Sequence, residues 1–217
     1  GIVPGMVRDG IKLLNLDRIG RVFQLQFLTP YRLSTLTKGY YPTPPHGFGH
    51  DRLIHSVTSA VMQASIYQGL QIDRTTLLIG ILAELAHDAL TSAGGDMMKL
   101  IDPVFFDEDA MIGRLFVSEA AGWKKLRDKY PLPASTPDLI QAIINGEGWQ
   151  GQVHDVTDSC SYVALDSYEL AVSYASPEAQ ENCHPDHRAI IELARNGASR
   201  LWQHVTVSNG QTVIGDD

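Results

Sequence analysis

Apolar residues recur at three- and four-residue intervals along most of the chain, a period that predicts helices rather than strands. The pattern runs from about Leu13 to Leu28. It stops in the stretch Tyr40 to Asp51, where Pro42, Pro44, Pro45, Gly47 and Gly49 exclude a helix. It resumes after Asp51, a suitable N-cap, through Leu53, Ile54, Val57, Ala60, Val61 and Ala64. The segment opening at Asp73 carries Leu77, Leu78, Ile79, Ile81, Leu82 and Leu85, apolar on nearly every side, which is the pattern of a central buried helix. It ends on His87-Asp88, and Gly94-Gly95 break the chain beyond it. Further helices are predicted from about Glu108 to Tyr130, Thr136 to Asn145, Asp155 to Ala175 and Asp186 to His204. The last residues, SNGQTVIGDD, read as a short tail with at most one strand-like pair. The expected fold is therefore an all-α bundle, one domain over 1–217 with its core in about 13–204.

Composition narrows the partners. A chain of 217 residues with 44% hydrophobic and 19% charged residues can bury a core without disulfides or metals as staples. Its formal net charge of -8 gives no general attraction to nucleic acid or to an acidic membrane, so neither is expected as a partner. An anionic ligand would need local cations or a metal. Two cysteines, Cys160 and Cys183, suit a reducing compartment. GIVPGMVRDG lacks the basic and apolar regions of a signal peptide, and no apolar run approaches about 18 residues. A cytoplasmic protein is expected.

The candidate chemistry begins at Glu84-Leu85-Ala86-His87-Asp88. Two ionisable side chains ending a buried helix are costly unless paired or bound to a metal. The alternative is a helix C-terminus where His87 meets the dipole and Asp88 caps a neighbour. His55 lies upstream on an amphipathic helix and Asp158 downstream on another. Two imidazoles and two carboxylates from three helices can converge in a bundle as a mixed nitrogen and oxygen site for a divalent first-row metal. Arg52 shares the face of His55 at i and i+3. Asp158, Tyr162 and Asp166 form one polar stripe at i, i+4 and i+8.

The pattern His … His-Asp … Asp resembles that of the HD-domain metal-dependent phosphohydrolases. YRLSTLTKGYYPTPPHGFGHDRLIHS is similar to a segment of the deoxynucleoside triphosphate triphosphohydrolase branch, with its Arg-Leu pair, Gly-Tyr-Tyr-like turn and Arg-x-x-His-Ser. IINGEGWQGQVHDVTDSCSYVALDSYEL is similar to that branch's Ile-Asn-Gly-Glu segment and Asp-x-x-x-Tyr-x-x-x-Asp helix. The likeness covers about residues 13 to 175. It implies an HD-type bundle in which His55, His87, Asp88 and Asp158 bind one divalent ion (Mn, Co, Fe, Zn, Ni or Mg). It further implies that Arg52 touches phosphate and that Tyr162 and Asp166 contact the nucleotide. The ordinary alternatives are a surface ion pair for Arg52 with Asp51 or Glu84, a core position for Tyr162, and an ion pair for Asp166.

The chain also departs from the branch. Its His-Asp pair is followed by Thr91 and Asp96 where histidines are usual, and Asp107-Glu108 replace a His-Glu pair. HDALTSAGGD instead looks like the bacterial 5′-deoxynucleotidase branch, except that Thr91 stands where that branch has a catalytic glutamate. Asp96 is the first candidate for the acid/base carboxylate, because the Gly94-Gly95 turn can aim it at the metal; its alternative is an N-cap of MMKLI. Glu84 is placed to orient His87. Lys38 and Lys99 are candidate phosphate contacts, and His50 and His154 are near enough in sequence to assist. Cys183-His184-Pro185-Asp186-His187 places its sulfur and imidazole donors, Cys183, His184 and His187, in one loop with no distant fourth, short of a structural zinc site. The resulting expectation is hydrolysis of a dNTP to deoxynucleoside and triphosphate. The alternatives are a 5′-nucleotidase, a hydrolase of another small phosphate ester, and a non-catalytic nucleotide-binding protein. The resemblance also implies a homo-oligomer.

Overall fold

A computed structural model describes residues 1–16, 52–92, 98–99, 101–107, 109–183 and 185–215. The described residues form nine α-helices: α1 (Ile2–Leu13), α2 (Arg52–Gly69), α3 (Arg74–Ala86), α4 (Gly113–Ser118), α5 (Ala120–Lys129), α6 (Thr136–Ile144), α7 (Gly148–Ser173), α8 (Pro177–Glu181) and α9 (Pro185–Arg195). Short 3-10 turns occupy Asp109–Met111 and Ala198–His204, and a hairpin of β1 (Val205–Ser208) and β2 (Gln211–Ile214) follows. The molecule is thus mostly helical, with one small antiparallel sheet in which Val205 faces Ile214.

The all-round apolar helix is the centre of the bundle, as its pattern predicts. Every residue of α3 from Leu77 to Ala86 is buried, and α2, α1, α6 and α7 pack around it. Asp73 starts α3 by accepting hydrogen bonds from the backbone N–H groups of Thr75 and Thr76, which otherwise have no partner within the first turn. α2 and α3 approach closely because Gly80 has no side chain. A Cβ there would lie 2.6 Å from the Tyr67 ring.

The remaining elements differ from the periodic reading in instructive ways. The region predicted as one helix from about Glu108 to Tyr130 is a 3-10 turn and two helices, broken at Glu119 between α4 and α5. α7 begins at Gly148, seven residues before Asp155, although Gly148 and Gly151 read as breakers. The segment predicted from Asp186 to His204 is α9 followed by a 3-10 turn, because Gly197 takes a left-handed φ of 97°. α1 falls ahead of the expected start at Leu13. It is tied to α5 by Asp9, which meets Lys129 and accepts from the Tyr130 hydroxyl at 2.8 Å. Most of the predicted 13–28 helix and the Pro/Gly-rich stretch up to Asp51 lie outside the described residues.

Candidate metal centre

Three helices meet at one point. His55 projects from the first turn of α2, His87 and Asp88 follow the last turn of α3, and Asp158 sits in the third turn of α7. One donor atom each from His55, His87 and Asp88 lie within 4.8 Å of one another, and this group could hold a metal ion. Asp158 closes the fourth side: its Oδ1 is 2.8 Å from His55 Nε2 and 3.3 Å from His87 Nε2. His55 Nε2 and His87 Nε2 are 3.2 Å apart, and Asp88 Oδ2 lies 3.3 Å from the latter and 3.8 Å from the former. A cation with bonds of about 2.1 Å spaces adjacent ligand atoms about 3.0 Å apart in octahedral geometry and about 3.4 Å in tetrahedral geometry. The observed spacings bracket both.

The surrounding hydrogen bonds turn the ligand atoms inward. His87 Nδ1 donates to the carbonyl oxygen of Glu84, 2.6 Å away, which leaves the Nε2 lone pair directed at the centre. The Ser161 hydroxyl donates to the carbonyl oxygen of Asp158 at 2.9 Å, so its oxygen can accept from His55 Nδ1 at 2.6 Å. His55 is held in plane by Tyr162, whose ring stacks on it at 3.7 Å and 7°. Two imidazole lone pairs and two carboxylates facing one point repel one another unless a positive charge lies between them. Without a metal, a proton on His87 can supply that charge. Burial acts to lower the pKa of this imidazole, but the Asp88 and Asp158 carboxylates outweigh it and hold it well above the ordinary histidine value. Burial likewise opposes ionisation of Asp88 and Asp158. It is overridden by His87 and Arg52 at Asp88 and by His55 and His87 at Asp158, so both carboxyls lie far below the usual range.

His55, His87 and Asp88 are buried, whereas the Asp158 side chain is 28% exposed. Access from solvent is therefore on the α7 side. Arg52 is also buried. Its guanidinium pairs with Asp88 Oδ1 and donates to the Thr91 hydroxyl at 3.0 Å, so it belongs to the ring of groups around the ligands. Asp166 is buried two turns beyond Asp158 on α7, and Lys99 lies 3.7 Å from Asp109. Lys38, His50 and Asp96 lie outside the described residues.

Glu84 reaches His87 through its backbone, while its side chain turns the other way into a buried polar cluster. Glu84 Oε1 accepts from the Thr157 hydroxyl at 2.5 Å, and Oε2 lies 3.1 Å from His154 Nδ1. The Gln63 amide, oriented to satisfy its neighbours, donates to the same carboxylate at 2.8 Å and accepts from the Tyr67 hydroxyl at 2.9 Å. Burial lowers the His154 pKa, yet Glu84 prevails and raises it above the ordinary value. The His154 ring meets His87 edge-on at 5.3 Å. Periodicity and motif spacing pass over Ser161, Thr157 and Gln63. Only the i+3 relation of Ser161 to Asp158 hints that they share a face.

His187 is buried with Nδ1 2.7 Å from the Tyr174 hydroxyl, and no metal-spaced group includes Cys183 or His187 among the described residues. Comparison of the chain with protein-family models, with curated proteins and with solved structures found no match in any of the three.

Proposed function

We propose that the chain is a metal-dependent phosphohydrolase in which His55, His87, Asp88 and Asp158 hold one divalent cation. Its substrate is a (deoxy)nucleotide, and conversion of a dNTP to deoxynucleoside and triphosphate is the leading reaction. The observation that carries the reading is the pair of imidazole Nε2 atoms 3.2 Å apart, each oriented by a hydrogen bond on its other nitrogen and flanked by two carboxylates. The nucleotide part rests on the resemblance of the Arg-x-x-His-Ser and Asp-x-x-x-Tyr-x-x-x-Asp segments.

When bound, a divalent ion supplies Lewis-acid polarisation of a phosphoryl oxygen and acidifies water. In this reaction water's oxygen joins phosphorus, the phosphorus–O5′ bond breaks and O5′ leaves with a proton. Arg52 keeps a positive charge beside Asp88 and offsets the charge that develops on phosphoryl oxygens. Tyr162 and Ser161 hold His55 rigid, and the Glu84 carbonyl does the same for His87. Glu84 and His154 are positioning residues that lock α3 to α7; the acid/base carboxylate is assigned to Asp96 on its sequence position.

The test is product analysis. Purified chain with Mn, Co, Mg or Zn is incubated with dNTPs, NTPs and nucleoside monophosphates. Tripolyphosphate release supports the leading reaction, and orthophosphate release supports a 5′-nucleotidase. Tight metal binding without turnover of any nucleotide would reject both. His87→Ala and Asp88→Ala should each remove metal content and activity together; full metal occupancy in either variant overturns the ligand set.

A further inference from the structure

The turn after Asp88 leads from the centre into a groove whose walls carry no part in the chemistry above. Leu90 and Ser92 flank Thr91, whose hydroxyl accepts from Arg52 and lies 3.4 Å from Asp88 Oδ1. These two residues also line a cavity of about 240 Å³ with Phe105, Phe106, Met111 and Arg114. Met111 and Arg114 continue into a second hollow of about 560 Å³ beside Gly113, Val117 and Gln141. Asp109, at the start of the 3-10 turn that carries Met111, interacts electrostatically with His87 and Asp88.

Two features of the groove ask for a ligand. The first is aromatic. Phe105 is 65% exposed, and the adjacent Phe106 ring meets it edge-to-face at 4.9 Å and 85°, so an apolar ring faces solvent. The second is cationic. Arg114 is exposed at the junction of the two hollows and makes no hydrogen bond or ion pair with any described residue. A guanidinium donates and never accepts, so its partner must present acceptor atoms. Leu90, Phe105, Phe106 and Met111 offer a flat apolar group far more than they offer a phosphate.

We propose that this groove seats the nucleobase of the substrate, with the base packed along Phe105 and Phe106 and Arg114 donating to a carbonyl on its edge. The inference rests on the nucleotide reading above for the kind of ligand, but it concerns different residues. A guanine edge, with O6 and N7 adjacent acceptors, fits the guanidinium fork. Adenine pairs one acceptor with a donor there and fits it less well.

The experiment is an NMR titration of the full chain, without added metal, using deoxyguanosine, deoxyadenosine and inorganic triphosphate as separate probes. Wild type should bind deoxyguanosine more tightly than deoxyadenosine. Arg114→Ala should weaken deoxyguanosine about tenfold and deoxyadenosine less than about twofold, as expected for loss of a charge-assisted hydrogen bond. Arg114→Lys should recover only part of that loss, and Phe105→Ala should weaken both nucleosides alike. Equal weakening of both nucleosides by Arg114→Ala overturns the assignment. So does weakening of triphosphate alone, which would make Arg114 a phosphate contact, and so does failure of wild type to bind either nucleoside. Turnover of nucleotides by a protein whose base preference ignores Arg114 sinks this inference and leaves the hydrolase. Base-selective binding without turnover does the reverse.

Discussion

His87 Nε2 can take a proton or, under the proposed function, a metal, and competition between the two would fix how the site answers pH. The folded imidazole binds its proton more tightly than an unfolded one. In metal-free protein its contribution to stability is therefore complete below the unfolded value of about 6.5 and is lost as pH rises through the folded value. Asp88 and Asp158 act oppositely: their contribution is present above about 3.9 and is lost as pH falls through their depressed folded values. A metal must displace the His87 proton, so its stabilising effect should grow with pH. The increase in melting temperature on adding Mn or Zn should be larger at pH 8 than at pH 6. An increase independent of pH would mean that His87 is not a ligand. Asp88 also pairs with the buried Arg52, so Asp88→Asn breaks an ion pair in the interior. A loss of about 3–5 kcal/mol is expected in chemical denaturation of the metal-free chain. A loss below about 1 kcal/mol would show that Arg52 finds another acceptor.

At the scale of elements, the accuracy of the ligand geometry depends on where α7 begins. Gly146 turns with φ of 75°, and Gly151 in the first turn of α7 packs so tightly on it that a Cβ would stand 2.2 Å from the Gly146 carbonyl carbon. Both neighbours are backbone, so neither can swing aside. Gly151→Ala should cost about 1–3 kcal/mol and weaken metal binding, because Asp158 lies two turns along the same helix. Gly69→Ala, at a position with no heavy atom within 4 Å of the added carbon, should be close to neutral. Thermal unfolding and metal titration of the two variants decide the matter. The same contact explains what could be read in advance and what could not. α3 was legible because uninterrupted burial leaves a run from Leu77 to Ala86 that is apolar except for Glu84. The early start of α7 was hidden, since Gly148 and Gly151 are poor helix formers and the Gly146 backbone that Gly151 makes room for is not apparent from the pattern. The break at Glu119 carries neither Gly nor Pro, and nothing in the periodicity marks it. His55, His87 and Asp88, which the fold groups, and Asp158 beside them were readable as residue types on three helices. Ser161, Thr157 and Gln63 were not, because small polar residues in an amphipathic helix carry no signal until another helix is laid against them.

Across the whole molecule, the central helix α3 is wrapped by elements drawn from both ends of the chain, and two polar links tie distant segments across it. Asp9 joins α1 to Lys129 and Tyr130 at the end of α5, and Glu84 joins α3 to Thr157 and His154 on α7. With a net charge of -8, an anionic ligand would depend on local cations such as the buried Arg52 or on a bound metal.

One consequence of the three-helix origin of the ligands is kinetic. His55 and Asp158 are 103 residues apart, and Asp88 must also join them, so the donors meet only after long loops have closed. Contacts of such separation cost the most loop-closure entropy, which favours a folding nucleus made without them. An ion held there then behaves as a reversible cross-link that the barrier to folding does not feel. Added metal should slow unfolding in denaturant jumps by the full amount of its stabilisation and leave the refolding rate unchanged. An accelerated refolding limb would instead place His55, Asp88 and Asp158 together in the folding nucleus.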